Sequence, residues 1–227
     1  MANHKGAIDF ITSAFDDYIS ARFLLINNYS LNGVILSSMA IEKYLKAFLI
    51  ILGRDYKRIH LDNILKLKAA FEGTTHCELF NYIDPRYLDL LSLAYNFRYY
   101  DNIKTKQTIG FAINQVIAEL DCVISIFENM IGDIDSNGQL TQTVYKRAVH
   151  KGDKRVLHKN YLYKNAGNKK EYCEEETEWF GLHIDPDRSG PILIQGTKIK
   201  TPYDNTLTLF SIAYKDELVD MEQRTKN

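Results

Sequence analysis

Cysteine is scarce in this 227-residue chain. Its three copies, Cys77, Cys122 and Cys173, lie far apart, are odd in number and show no Cys-x-x-Cys spacing. This argues against a disulfide framework and for a reducing compartment. The N-terminal stretch MANHKGAIDF lacks the apolar core of a secretory signal, so a cytoplasmic protein is expected. A surplus of one charge is also missing: the formal net charge is -1, which gives no global field toward nucleic acid or a membrane. No glycine-rich phosphate loop, Gly-x-Ser-x-Gly elbow or His-Glu-x-x-His pair occurs. His150, His158, Cys173 and His183 are too scattered for a zinc spacing, so neither a metal nor a cofactor is expected.

What the chain does have is helical periodicity. Its apolar fraction of 45% with 25% charged residues is that of an ordinary globular protein. The most apolar stretch, ILSSMAIEKYLKAFLIILG, approaches the length of a membrane span but carries Glu42, Lys43 and Lys46. Each such charge would cost roughly 2.5–3.5 kcal/mol at a bilayer centre, so a membrane helix is rejected. Ser38, Glu42 and Lys46 instead form one polar stripe on a helix expected over 32–52, with Gly53 as its C-terminal cap. Because its other directions are apolar, this should be the central helix of a bundle. Further helices are expected over 8–26, 61–71, 85–97 and 107–131; the last carries Ile109, Ile113, Val116, Leu120, Val123, Phe127 and Met130. Short connections imply an up-and-down bundle of about five helices.

At GDIDSNGQ the periodicity stops, and a boundary is placed near 135. The expected division is a helical bundle over 1–135 and a smaller β-rich C-terminal module or arm over 136–227. The runs TVYKRAV, RVLHKNYLY, PILIQGTKIKT and TLTLFSIAY read as short strands, with a hairpin turn at His150–Asp153 and a last polar helix over 215–224. From Lys146 to Lys170 nine Lys or Arg residues face one acid, Asp153, interleaved with Tyr161 and Tyr163. Such a segment can track a phosphate backbone while tyrosines stack on bases. Five acids follow over 171–178, which equally suits two solvated strands of opposite charge pairing with each other.

The helical part resembles the HEPN family of small helical bundles. SSMAIEKYLKAFLI is similar to the family's acidic-Lys pair followed by Leu-Lys-Ala, and His60 in RIHLDNIL to its His-x-x-x-Leu. Tyr95-Asn96-Phe97-Arg98-Tyr99-Tyr100-Asp101 resembles its Tyr-x-x-Arg-Tyr-Pro-Asp, with Tyr100 in place of the proline. One branch of the family cleaves RNA with an Arg followed a few residues later by His. Here the window after Arg98 holds Ile103, Lys104 and Thr105, and no histidine. The resemblance therefore implies the other branch, whose members pair with a nucleotidyltransferase and are thought to bind nucleotides or to be its target.

On that basis the expected protein is a homodimeric nucleotide- or RNA-binding module, acting with a nucleotidyltransferase or within a toxin–antitoxin or defence pair. Its candidate binding residues are Arg98, Tyr95, Tyr99, Asp101, Glu42 and Lys46, with no catalytic residue assigned. Arg98 would fork onto a phosphate while Tyr95 or Tyr99 stacks on a base. A salt bridge from Arg98 to Asp101 or Glu42 is the structural alternative, and for His60 a helix-start or packing role. Two rival functions stay open: a metal-independent ribonuclease with a degenerate motif, and a non-catalytic interaction scaffold.

Overall fold

The computed structural model describes residues 4–96, 107–136, 139–164, 167–184 and 192–210. Helices α1 (His4–Ile26) and α2 (Ser30–Ile51) form a tight hairpin. A Cβ on Gly33 would lie 2.6 Å from Leu25 Cγ, so only glycine allows this approach. Gly53 ends α2 at φ 66°, with its N–H on Ile50 O and the Arg54 N–H on Leu49 O, the paired bonds of a left-handed helix cap. Helix α3 (Ile64–Phe71) starts at Asn63, whose side chain accepts from Lys66 N. Helix α4 (Pro85–Asn96) starts where Asp84 accepts from Arg86 N and Tyr87 N. No helix among the described residues is long and apolar enough to cross a membrane.

The fifth helix departs from expectation. Residues Gln107–Ala112 are a strand, β1, and α5 runs only from Ile113 to Ile131. The four-residue spacing of Ile109 and Ile113 imitates a helix, but β1 is paired antiparallel on both sides, so long-range pairing overrides local period. Strand β2 (Ile134–Ser136) and strand β3 (Gln139–Thr141) form a small hairpin.

Beyond it, two expected strands are helical. TVYKRAV becomes α6 (Val144–His150), and RVLHKNYLY becomes α7 (Lys154–Leu157) followed by a 3-10 turn. Local capping decides this: Thr143 accepts from Lys146 N, Asp153 from Arg155 N and Asn160 from Leu162 N. The turn read as a β-hairpin joins α6 to α7 instead. Helix α8 (Lys169–Cys173) then leads to β4 (Thr177–Ile184), β5 (Ile192–Ile199) and β6 (Leu209–Phe210). The sheet order is β5-β4-β1-β6, all antiparallel. The PILIQGTKIKT run is therefore a strand as expected, whereas the paired strands of opposite charge do not form, because the basic half is helical. The proposed helix over 215–224 lies outside the described residues.

The fold is mainly α: a helical bundle followed by a smaller part that holds most of the sheet. Residues from both sides of position 135 share one core cluster, including Tyr18, Tyr44, Phe48, Phe127, Tyr145, Val156, Phe180 and Leu207. Every residue from Ile113 to Asp121 is buried, so the first half of α5 is enclosed all round. Helix α2 keeps one partly open polar face.

Candidate functional site

That face is where the charged stripe lies. Lys46 Nζ is 2.8 Å from Glu42 Oε1, and both side chains are only 12% exposed. The segment leading into α3 folds over them. Leu61 N–H donates to Glu42 Oε2 at 3.1 Å, and His60 Nδ1 sits 3.2 Å from Glu42 Oε1. Lys46 Nζ is 3.5 Å from the same imidazole nitrogen. The His60 ring, 38% exposed, lies 5.5 Å from the Tyr95 ring on the last turn of α4. One turn before Glu42, Ser38 Oγ is buried without a hydrogen-bond partner among the described residues.

Burial alone would raise the Glu42 carboxyl, but Lys46, the Leu61 N–H and His60 outweigh it and hold the group below the usual carboxylate range. Glu42 is thus an ionised carboxylate touching an ammonium, an amide and an imidazole. Chemically, the cluster offers a cation, an oriented imidazole and an aromatic face at one end of the bundle. Of the expected site residues, Glu42, Lys46 and Tyr95 are brought together through His60. Arg98, Tyr99 and Asp101 lie outside the described residues.

The basic stretch Lys146–Lys170 is largely committed elsewhere. Lys146 donates to Gly132 O, Arg147 to Gln142 O, and Arg155 pairs with Asp153. Lys164, Lys169 and Lys170 pair with Glu175, Glu119 and Glu174. These bonds favour the bland reading of that charge run. A cleft of about 360 Å³ beside the start of α5 is similarly balanced, with Lys164 on Glu175 and Lys198 on Glu176.

Sequence reasoning missed the three buried acids of α5. Asp121 pairs with Arg22, accepts from Tyr18 Oη at 2.9 Å, and shares Arg22 with the carbonyls of Arg155 and His158. Glu119 accepts from Tyr203 Oη at 2.5 Å and pairs with Lys169 at 2.7 Å. Glu128 accepts from Tyr44 Oη at 2.5 Å and from Thr143. The available signal was Arg22 on the apolar stripe of α1, since a charge there needs a buried partner.

A mainly helical bundle with an ion-paired Glu–Lys–His cluster between its second and fourth helices defines the class. The HEPN domain model matches residues 7–124, more than half of the chain, and the protein belongs to the HEPN family. Neither a search of curated proteins nor one of solved structures finds a match.

Proposed function

We propose that this protein binds a nucleotide or RNA at the end of the bundle where Glu42, Lys46, His60 and Tyr95 meet, with Arg98, Tyr99 and Asp101 completing the site. The carrying observation is the Glu42–Lys46–His60 cluster beside an aromatic ring, a pairing of fixed charge with a stacking surface that suits phosphate and base together. The protein acts as a homodimer, with a nucleotidyltransferase partner or within a toxin–antitoxin or defence pair. The test is equilibrium binding of ATP and of a short RNA to the wild type and to Arg98→Ala. Binding that is lost in Arg98→Ala supports the reading; no binding by the wild type sinks it.

One observation favours a second reading, a metal-independent ribonuclease. His60, held through Nδ1 by an ionised carboxylate, is an imidazole that can take part in proton transfer and that the window after Arg98 lacks. Cleavage of total RNA in EDTA that disappears in His60→Asn, which can keep the bond to Glu42, would establish this enzyme over a simple binding module.

A further inference from the structure

Helix α1 carries apolar residues on the side that shares a groove with α7. Ile19, Phe23 and Ile26 recur at the spacing of a helix-packing ridge, and Phe23 is 63% exposed. Together with Leu24 they floor a groove of about 550 Å³ whose opposite wall is α7, with Lys154, Arg155 and His158. Ile19 and Ile26 are half-buried against the core, so Phe23 is the exposed apolar side chain that the groove offers to a partner.

The rim of this groove has a definite charge. Its charged lining residues are basic, and Lys154, like Lys151 and Lys159 on either side, makes no side-chain ion pair or hydrogen bond with a described residue. Two acids lie nearby: Asp153, already bound to Arg155, and Asp16 on α1, whose charge also reaches Arg155. Lys154 therefore stands at the groove as a cation that no described residue neutralises.

We propose that this groove docks an acidic amphipathic helix of a partner protein. A ridge at helical spacing receives the apolar face of a second helix, and acids flanking that face would meet Lys154. Charge complementarity selects an acidic partner over a basic one. The floor favours a helix over a nucleic-acid strand, because it offers three aliphatic side chains and a single aromatic, whereas strand binding relies on successive stacking platforms. This surface shares no residue with the Glu42–His60 cluster and does not depend on the function proposed there.

The test uses the full chain and a labelled synthetic peptide of about eighteen residues, with Leu at helical spacing flanked by Glu, followed by fluorescence anisotropy. Saturable binding is expected, weakened by added salt. Phe23→Ser and Lys154→Glu should each weaken it about tenfold or more, with circular dichroism unchanged because both side chains are exposed. Leu65→Ser, at an exposed apolar residue outside the groove, should leave it intact, and a peptide with Lys in place of Glu should not bind. Absent binding, or binding that survives both groove substitutions, overturns the proposal. An RNA oligonucleotide that binds in a Phe23-dependent way where the peptide fails would reassign the groove to nucleic acid. Peptide binding that appears only after Asp216, Glu217 and Asp220 are changed to Lys would assign it to the chain's own C-terminal segment.

Discussion

Arg22 on α1 and Asp121 on α5 form an ion pair from which water is excluded, with side-chain exposures of 1% and 0%. Burial raises the Asp121 carboxyl, and Arg22 offsets only part of this; for Arg22, burial would lower the guanidinium, but Asp121 and Tyr18 outweigh it, so Arg22 is held firmly protonated. Because Arg22 also binds the carbonyls of Arg155 and His158, the pair joins three segments that are distant in the chain.

Removing one partner should be worse than removing both. Arg22→Met leaves a buried carboxylate alone, and Asp121→Leu leaves a buried guanidinium with the Arg155 and His158 carbonyls only. Each should cost about 3–5 kcal/mol in urea denaturation. The double change Arg22→Met with Asp121→Leu should cost less than the sum of the two. A strictly additive result would mean that the two charges do not interact energetically.

Glu128 supplies a pH prediction. Burial raises its carboxyl above the usual range, and the bonds from Thr143 and Tyr44 only partly oppose this. The folded state therefore holds the proton more tightly than the unfolded state. The resulting stabilisation is fully present below the ordinary carboxylate value and is lost as pH rises through the raised one. Glu128→Gln keeps an acceptor for the Tyr44 hydroxyl and cannot ionise. Its urea midpoint should change less with pH across that window, and at neutral pH it should be at least as stable as the wild type. An unchanged pH profile would mean that Glu128 does not titrate differently on folding.

Cutting the chain at 135 tests whether the helical part stands alone. The fragment would lose Tyr145, Val156, Phe180 and Leu207 from the common core and would expose α5, whose Asn114 donates to the carbonyls of Tyr172, Cys173 and Glu175. With each large apolar contact contributing roughly 1.5–3 kcal/mol, we expect a fragment without a cooperative thermal transition. A cooperative transition like that of the full chain would establish 1–135 as an independent domain.

How much of this was legible depends on how local the cause is. Helices α1 to α4 were readable because their apolar spacing and end signals, such as Gly53 and Pro85, act within a few residues. Strand β1 was not, because its partners β4 and β6 lie some seventy to a hundred positions away and Ile109 fits a helical period as well. Helices α6 and α7 were misread because Val, Tyr and Leu suggested strands, while Thr143 and Asp153 acted as caps. The Glu42–Lys46 pair followed from its spacing. Its bond to His60 required knowing how the segment before α3 folds back, eighteen residues on.

The final prediction joins that cluster to assembly. Glu42 accepts from Lys46, Leu61 and His60, so Glu42→Lys would place two ammonium groups against one imidazole with no carboxylate between them. If the proposed homodimer packs across this cluster, the substitution should weaken both dimerisation and ligand binding. A charged hydrogen bond contributes about 1.5–3 kcal/mol, so binding should fall by roughly ten- to a hundredfold. Arg98→Ala should reduce binding to a similar degree while leaving the far-ultraviolet circular dichroism and the oligomeric state unchanged. Light scattering coupled to gel filtration reads the assembly, and titration with ATP and a short RNA reads the ligand. A wild type that is strictly monomeric and binds neither would leave the cluster as the clamp that holds the segment before α3 against α2.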